Sequence, residues 1–332
     1  MNINPNNKIL IVRKDELGSR HKYTRLFQSI YGDRVHIITD KQIVKTPLNV
    51  KDWQFAVVFG DKSKAWQHVH RAGIPYVLCQ NDVASMRGAV NRDVVSNEEG
   101  MVGNARGIIY TSDWHRRYTQ KTYSLSIPYE IIYLRPFKDD LPADTANSTK
   151  PHGKHLVYAG GLHKWSKRTK LHGYRCYHNI FKAFIARGWT VHVYDVNDGV
   201  AFNEYSRLGC ITHPTLSDGT KLYTELGKYT AGFHGYNKDG VPQKAFDYTQ
   251  KCMPNKTWLY LAAGIPTIGF QSGVSGGEFN GRWGVVLDSL SDILGVENRI
   301  NGFPLNDYRN TEIIDNDMLK LKLFIDRIFN EN

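Results

Sequence analysis

Residues 253–270 read MPNKTWLYLAAGIPTIGF, a pattern typical of a helix that leads into a strand. An apparent helix carries the small residues Ala262 and Ala263 and ends at Gly264, after which Pro266 leads into a short apolar strand. Small residues on a helix allow a ligand or a neighbouring backbone to come close. An ordinary helix that ends at a glycine and leads into a strand explains the same residues. The stretch therefore predicts an α/β connection.

The rest of the chain repeats this alternation of strands and helices. In the first half, short aliphatic runs predict strands at residues 8–13, 35–39, 55–59, 75–78, 107–111 and 129–133. In the second half they predict strands at residues 155–158, 190–194, 210–213, 231–234, 267–270 and 284–287. The intervening helical patterns indicate parallel sheets covered on both faces, as in Rossmann-like domains.

A polar stretch without periodicity, KDDLPADTANSTKPHGK at residues 138–154, separates the two series and is the candidate linker. At 332 residues the chain is long enough for two domains with separate cores. We therefore predict an N-terminal domain over residues 1–150 and a C-terminal domain over residues 151–312. Residues 313–332 form an amphipathic helix that is predicted to pack at the domain junction.

Composition predicts a folded protein with polyanionic partners. Hydrophobic residues make up 41% and charged residues 23%, a balance that excludes wholesale disorder. Lys and Arg number 43 against 32 Asp and Glu, giving a formal charge of +11, which favours nucleic acid, anionic lipid or phosphorylated ligands. A basic surface that is spread evenly for solubility remains the alternative.

No apolar run approaches the roughly 20 residues that cross a bilayer, and residues 1–8 are polar, so we expect a cytoplasmic protein. Peripheral contact with a membrane stays open. The cysteines, Cys79, Cys176, Cys210 and Cys252, are scattered singly. Their spacing favours buried free thiols over a zinc site or disulfides.

Ligands of open α/β sheets bind at the carboxyl ends of the strands, which makes the turns after the strands the candidate sites. Gly18 follows the first strand and precedes a helix, where backbone amides can meet an anion or a sugar, although an ordinary helix cap fits equally well. Gly160 and Gly161 follow a later strand and precede a dense basic stretch that includes Lys164 and Arg168. Two glycines let the backbone approach a ligand, and the cations can neutralise a diphosphate; a solvated basic loop is the alternative.

The stretch from Pro254 to Ile268 resembles the donor-binding signature of GT-B glycosyltransferases, in which a Pro-Asn-Lys opening, a Tyr-Leu-Ala-Ala-Gly core and a following proline recur. The turn at Gly160 and Gly161 is similar to the first turn of their donor domain. This resemblance implies two Rossmann-like domains that face each other across a cleft, the first binding the acceptor and the second a nucleotide sugar.

By the same resemblance Lys256, Lys164 and Arg168 face the donor diphosphate, while the two glycines admit it. His234 follows a predicted strand of the donor half and is a further donor-binding candidate, with a structural histidine as the alternative. The implied donor is a UDP-sugar. No other cofactor is firmly implied, and a divalent metal is compatible with the pattern but not required.

The chain departs from the family pattern at two positions. The family's ribose-binding glutamate precedes the Tyr-Leu pair, where this chain has Leu259, and the carboxylate expected eight residues upstream is replaced by Lys251. Asp247 or Glu225 are possible substitutes. The departure leaves open a catalytically silent module that binds a nucleotide sugar or nucleic acid.

Asp82 follows the predicted strand at residues 75–78 and is the candidate general base, with Asp15 and Glu16 in reserve. A helix cap explains Asp82 equally well. This segment is similar to the strand-end aspartate of phage DNA β-glucosyltransferases, which invert configuration. The two candidate acceptors are therefore a hydroxymethylated base in DNA, which the charge favours, and a cell-surface glycan.

Overall fold

A computed structural model describes residues 8–13, 19–60, 65–81, 83, 92–142, 153–164, 173–195, 199, 201–216 and 219–330. The chain divides into two compact units. Unit 1 comprises Met1–Leu134 together with Ile314–Asn332, and unit 2 comprises Arg135–Ile313.

Unit 1 is built on a parallel six-stranded sheet of order β2-β1-β3-β4-β5-β6. Its strands are β1 (Lys8–Arg13), β2 (Val35–Thr39), β3 (Trp53–Phe59), β4 (Tyr76–Gln80), β5 (Gly107–Tyr110) and β6 (Tyr129–Ile131). Its helices are α1 (Ser19–Tyr31), α2 (Asp40–Ile43), α3 (Ala65–Arg71), α4 (Arg92–Gly103), α5 (Asp113–Thr122) and, from the end of the chain, α14 (Met318–Asn330).

Unit 2 contains a second parallel six-stranded sheet, of order β12-β11-β10-β7-β8-β9. Its strands are β7 (Lys154–Ala159), β8 (Trp189–Tyr194), β9 (Ile211–His213), β10 (Ala231–Gly235), β11 (Thr267–Phe270) and β12 (Gly284–Leu287). Its helices are α6 (His178–Ile185), α7 (Phe202–Arg207), α8 (Gly219–Leu226), α9 (Gln243–Thr249), α10 (Lys256–Ala262), α11 (Gly273–Phe279), α12 (Val296–Ile300) and α13 (Leu305–Thr311).

A strand lies at each run that the sequence predicts, because the central strands of a parallel sheet are buried on both faces and therefore read as continuous apolar runs. In unit 1, Leu10, Val58 and Leu78 from neighbouring strands join one buried cluster. In unit 2, Leu156 and Phe233 join the cluster on one face of the sheet, while Val157 lies in the cluster on the other.

The helix at the end of the chain belongs to unit 1. Phe324 and Ile328 of α14 are buried and pack so closely on Gly107 of β5 that a methyl group there would lie 2.8 Å from each side chain. Phe329 stacks on Phe55 of β3 with ring centroids 4.6 Å apart. The apolar side of α14 therefore covers the sheet of unit 1, and its expected role at the domain junction stays a prediction.

The division between the units falls between Leu134 and Arg135, earlier in the chain than the polar stretch at residues 138–154. The start of that region is tied to unit 2 by its own contacts. Arg135 pairs with Glu312 at 2.9 Å, and Arg309 donates hydrogen bonds to the carbonyl oxygens of Pro142 and Ala262.

Candidate functional site

The turn after β7 is the first part of the candidate site. Gly160 has a φ of +150°, a conformation that favours glycine, and its amide donates a 2.9 Å hydrogen bond to the carbonyl oxygen of Tyr194 at the end of β8. The hydroxyl of Tyr158 donates to the carbonyl oxygen of Gly161 at 2.8 Å. These bonds fix the two-glycine turn at the carboxyl end of the sheet, where α/β domains bind their ligands.

Helix α10 brings Lys256 directly onto this turn. A methyl group built on Gly160 would lie 2.3 Å from Cε and 2.6 Å from Nζ of Lys256, so the missing side chain is what makes room for the lysine. The ammonium nitrogen also lies 5.1 Å from the ring centroid of Tyr158, a cation–π distance. Lys256 therefore lies against Gly160, while the donor-binding roles that the resemblance implies for both residues stay predictions.

Tyr260 holds α10 in this position. It lies four residues after Lys256, on the same face of the helix. Its ring covers Gly232 of β10, where a Cβ atom would come within 2.1 Å, and its hydroxyl donates to the carbonyl oxygen of Phe233 at 2.9 Å. The amide of Ala159 donates to the same hydroxyl at 3.1 Å. Both β7 and β10 are thereby fastened to the helix that carries the lysine.

Lys256 has no anionic partner within the part of the chain that the structure describes. Among the described residues it forms no ion pair with any carboxylate. Desolvation, followed by repulsion from Arg175, lowers the pKa of Lys256 to about 7. Lys256 is half-buried, and partial removal of a cation from solvent without a counter-ion is unfavourable; an anionic ligand at the glycine turn would offset that cost.

Arg175 adds a second positive charge beside the turn. It lies just before α6, with its guanidinium 5.6 Å from the ring centroid of Tyr174. It also interacts electrostatically with Tyr158, whose pKa burial raises to about 12. The sequence shows Arg175 as one of several cations in a basic stretch and gives no reason to prefer it, since its position among tyrosines arises only on folding.

His234 lies near the end of β10 and interacts electrostatically with Lys256. It is 1% exposed, and its Nδ1 has no hydrogen-bond partner among the described residues. Its backbone carbonyl accepts a 2.9 Å hydrogen bond from the hydroxyl of Ser272. Burial and the nearby Lys256 lower the pKa of His234 to about 3, so the imidazole is neutral at physiological pH.

The structure leaves several sequence candidates untested. Lys164 follows on the same turn as Gly161 and is exposed. The other candidates, Asp15, Glu16, Gly18, Asp82 and Arg168, lie outside the described residues. The roles proposed for them, including Asp82 as the base, remain predictions.

Leu259, at the position of the family's ribose-binding glutamate, packs with Leu216 and Leu222 against an apolar cluster of unit 2. The two suggested substitutes already have partners. Asp247 accepts a 2.7 Å hydrogen bond from Gln243. Although burial opposes its ionisation, hydrogen bonds from Lys228 and Tyr194 keep the pKa of Glu225 below its ordinary value.

Within the described part of the chain, no group of three or more His, Cys, Asp or Glu side chains is arranged to hold a metal ion. The four cysteines are free thiols. None of the helices described is both long enough and apolar enough to span a membrane.

Several solved glycosyltransferases are similar to this chain in structure. Sucrose-phosphate synthase from Thermosynechococcus elongatus is 10% identical with a TM-score of 0.66, covering 98% of this chain and 100% of that one. Anabaena HepE, solved with UDP and glucose, is 11% identical with a TM-score of 0.62, covering 96% and 99%. WaaB, a lipopolysaccharide outer core galactosyltransferase, is 12% identical with a TM-score of 0.56, covering 95% and 99%.

No protein-family model matches the chain, and no curated protein matches it in sequence. The structural likeness nevertheless extends over nearly the whole chain, and the two parallel six-stranded sheets correspond to the two Rossmann-like domains of these enzymes. The protein therefore has the GT-B fold, which confirms the α/β architecture expected from sequence.

Proposed function

We propose that this protein is a glycosyltransferase that moves a sugar from a nucleotide-sugar donor to a hydroxyl acceptor. The observation that carries the proposal is the ammonium of Lys256 on the backbone of Gly160, at the carboxyl end of β7, where no carboxylate of the described ranges pairs with it. A lysine kept only for stability would be expected to have a carboxylate partner or to lie in solvent. Its half-buried position, where Arg175 repels it, supports a site for an anion.

The anion that fits this arrangement is the diphosphate of the donor. As the bond between sugar C1 and the diphosphate breaks, negative charge develops on the departing oxygen, and cations held in place beforehand stabilise it. We assign this role to Lys256 and Arg175, with Lys164 and Arg168 as further contacts. Gly160 and Gly161 let the phosphates approach the backbone.

A UDP-sugar is the proposed donor, because the structurally similar HepE has been solved with UDP and glucose. Leu259 packs with Leu216 and Leu222 and cannot itself offer a carboxylate to the ribose, so affinity in this proposal rests on the diphosphate. A silent binding module is the competing function. It would bind UDP through the same cations but release no sugar.

The proposed acceptor is a hydroxymethylated base in DNA, supported by the formal charge of +11 and by the segment that ends at Asp82. A cell-surface glycan is the alternative acceptor, supported by the structural likeness to WaaB. Asp82, from the N-terminal half, would take the proton of the acceptor hydroxyl.

Donor binding is tested by thermal unfolding with UDP, GDP, ADP, dTDP, CMP and their common sugar conjugates. A ligand that binds only the folded protein raises its melting temperature, and at about one hundred times its Kd it adds roughly 3 kcal/mol of stability. We expect UDP and a UDP-sugar to raise the temperature for the parent and for Lys244→Met, a control at an exposed lysine of α9. Lys256→Met should lose most of the shift, and an equal shift in both variants would refute the site.

Transfer is then tested with the best donor, radiolabelled in its sugar. Label is measured in duplex DNA containing hydroxymethylcytosine, in lipopolysaccharide and in free sugar. Incorporation into DNA supports the first acceptor, and incorporation into lipopolysaccharide supports the second. Binding of UDP with no release of labelled sugar under any condition would identify the silent module.

A further inference from the structure

Helix α5 of unit 1 carries aromatic and basic residues side by side on its outer surface. Trp114 and Tyr118 are four residues apart, as are Arg117 and Lys121. Residues three and four apart are neighbours on a helix surface, so these four side chains share one face, which we call the α5 strip. Within it the two rings form one row and the two cations form the next. The buried residues of α5 lie on the other side of the helix.

The two rings of the α5 strip stack on each other. Their centroids lie 5.2 Å apart, and the angle between their planes is 22°. Trp114 and Tyr118 are both half-buried, so each keeps some contact with solvent. A partly exposed aromatic pair offers a surface on which a further flat ring can stack, and every nucleobase has such a ring.

The two cations of the α5 strip are accessible to an anion. Arg117 is 73% exposed, and its Nε lies 2.5 Å from Oδ2 of Asp113. That contact occupies one of the five N–H donors of the guanidinium and leaves four for a ligand. Lys121 is exposed and lies about 6 Å further along the helix axis. The strip therefore presents two positive charges beside its two rings.

Arg116, the remaining cation of α5, has a structural role instead. Its guanidinium donates hydrogen bonds to Asp113 at 2.7 Å and to Gln120 at 3.1 Å, and it lies 4.8 Å from the ring centroid of Tyr129 in β6. These contacts hold α5 to its neighbouring strand. Because Arg116 already does this, the two exposed cations of the strip are available to a ligand.

We propose that the α5 strip binds single-stranded nucleic acid, with bases stacked on Trp114 and Tyr118 and phosphates held by Arg117 and Lys121. An unpaired strand exposes the faces of its bases beside a line of phosphates, which matches a row of rings beside a row of cations. A duplex fits poorly, because its bases stack on one another and leave no face free. A neutral glycan can stack on the rings but has no charge to pair with the cations.

The inference rests on the DNA acceptor of the proposed function and specifies its form. Enzymes that modify a base act on a single strand or on a base flipped out of a duplex. A surface that binds an unpaired strand selects the first of these substrates. Helix α5 follows β5, whose neighbour β4 precedes Asp82 in the sequence, so the strip begins at the edge of the sheet from which the proposed base comes.

The test measures the Kd of a fluorescein-labelled single-stranded DNA of about 16 nucleotides by fluorescence anisotropy, at KCl concentrations from about 50 to 200 mM. Trp114→Ala and Tyr118→Ala should each raise the Kd at least about fivefold and leave its salt dependence unchanged, because stacking carries no charge. Arg117→Ala and Lys121→Ala should each lower the slope of log Kd against log salt by about 0.7, the value for one phosphate contact. Arg71→Ala, at an exposed arginine of α3, is the control and should change neither.

A second measurement uses the parent protein alone, which covers the case of a variant that folds poorly. An abasic strand of the same length keeps the phosphates and lacks the bases, and the parent should bind it at least about tenfold more weakly. Duplex DNA of the same sequence should also bind more weakly than the single strand. Equal Kd values for the three DNAs, or parental Kd values and salt slopes in all four strip variants, would overturn the inference.

Binding of lipopolysaccharide through the α5 strip is the rival outcome. If lipopolysaccharide bound the parent more tightly than the strand does, and the four variants lost that binding, the strip would be a glycan site and the inference would be wrong. The UDP titration tests the proposed function separately. Binding of UDP without binding of DNA overturns only the inference, whereas a protein that binds DNA through the strip but binds no nucleotide and releases no sugar overturns only the proposed function.

Discussion

Gly160 has no Cβ atom, and the Cβ atom of any other residue at this position would clash with the side chain of Lys256. Gly160→Ala is therefore predicted to impair the site in two ways. The φ of +150° costs a non-glycine residue about 1–3 kcal/mol, and the new methyl group displaces the lysine, from which it would be only 2.3 Å away. We expect the Kd for UDP, measured by calorimetry, to rise by about tenfold or more, equivalent to a loss of roughly 1.4 kcal/mol.

Gly277→Ala is the control for this change, because a methyl group at Gly277 in α11 meets no atom within 4 Å. It should leave the affinity for UDP unchanged. If Gly160→Ala bound UDP as tightly as Gly277→Ala does, the glycine turn would have no part in donor binding.

The proposed base is tested by Asp82→Asn, which keeps the shape of the side chain and removes the basic carboxylate. The Kd for UDP should stay at the parental value, while transfer to a hydroxyl acceptor falls by roughly a hundredfold or more. The neighbouring change Asn81→Ala controls for disturbance of the turn. Transfer at the parental rate in Asp82→Asn would reduce Asp82 to a helix cap and remove the main support for inversion.

At the residue scale, Gly160, Gly161 and His234 became sequence candidates because each follows a strand at the edge where α/β sheets bind ligands. Lys256 became one through the resemblance of residues 254–268 to a donor-binding signature, and the donor-binding roles of all four stay predictions. Sequence could not single out Arg175 from the cations around it. Its distinction comes from tyrosines of separate strands and turns that only the folded sheet assembles. Sequence also could not show which described carboxylates leave Lys256 without an ion pair, since ion pairs form between segments distant in the chain.

At the scale of elements, three histidines join neighbouring strands of unit 2. Nδ1 of His155 in β7 lies 3.0 Å from Nε2 of His192 in β8, and Nδ1 of His192 lies 3.0 Å from Nε2 of His213 in β9. The ring of Tyr229 packs on His192, with centroids 4.6 Å apart. A period of two places these histidines on one face of the sheet, so the sequence contains the pattern once the strand register is known.

This histidine row predicts a loss of stability in acid. Burial, then the neighbouring His213 and His155, lowers the pKa of His192 to about 4 from its ordinary value of 6.5. Between pH 6.5 and 4 the unfolded chain binds a proton at His192, whereas the folded chain does not. The contribution of neutral His192 to the free energy of unfolding is therefore complete above pH 6.5 and is lost as the pH falls to 4. Its size is about 3 kcal/mol.

Urea unfolding followed by circular dichroism between pH 4 and 8 measures this effect. His192→Gln should show a smaller loss of stability in acid than the parent, by about 3 kcal/mol, whatever its stability at pH 7. His21→Gln, at an exposed histidine of α1, should behave as the parent does. Parallel pH profiles for the parent and His192→Gln would contradict the prediction.

Helix α14 supports the sheet of unit 1 through Phe324, which is 2% exposed. Phe324→Ala removes a buried ring that packs on Gly107 and should lower the free energy of unfolding by about 3–5 kcal/mol. Leu323→Ala, on the exposed side of the same helix, should change it by no more than about 0.5 kcal/mol. Urea titration measures the free energy of unfolding of both variants. Equally small changes in both would mean that α14 adds little to the stability of unit 1.

At the scale of the whole molecule, sequence predicted the α/β architecture better than it located the division between the units. The strands were recognisable because their burial makes them continuously apolar. Residues 138–154 have the composition of a linker, yet the chain joins unit 2 at Arg135, through a salt bridge to Glu312 far along the sequence. The basic surplus is divided nearly equally between the units, so total charge does not mark either as the binder of DNA.

Helix α14 covers the sheet of unit 1 and belongs to that unit. The whole of unit 2 is therefore inserted in the sequence between β6 and α14. On the ribosome, β1 to β6 emerge before unit 2, whereas the helix that covers Gly107 and Phe55 emerges after it. Unit 2 is continuous and can fold as soon as residues up to 313 are free. The sheet of unit 1 is thus made before unit 2 but covered after it, and until α14 has emerged the sheet presents an apolar surface that chaperones can recognise.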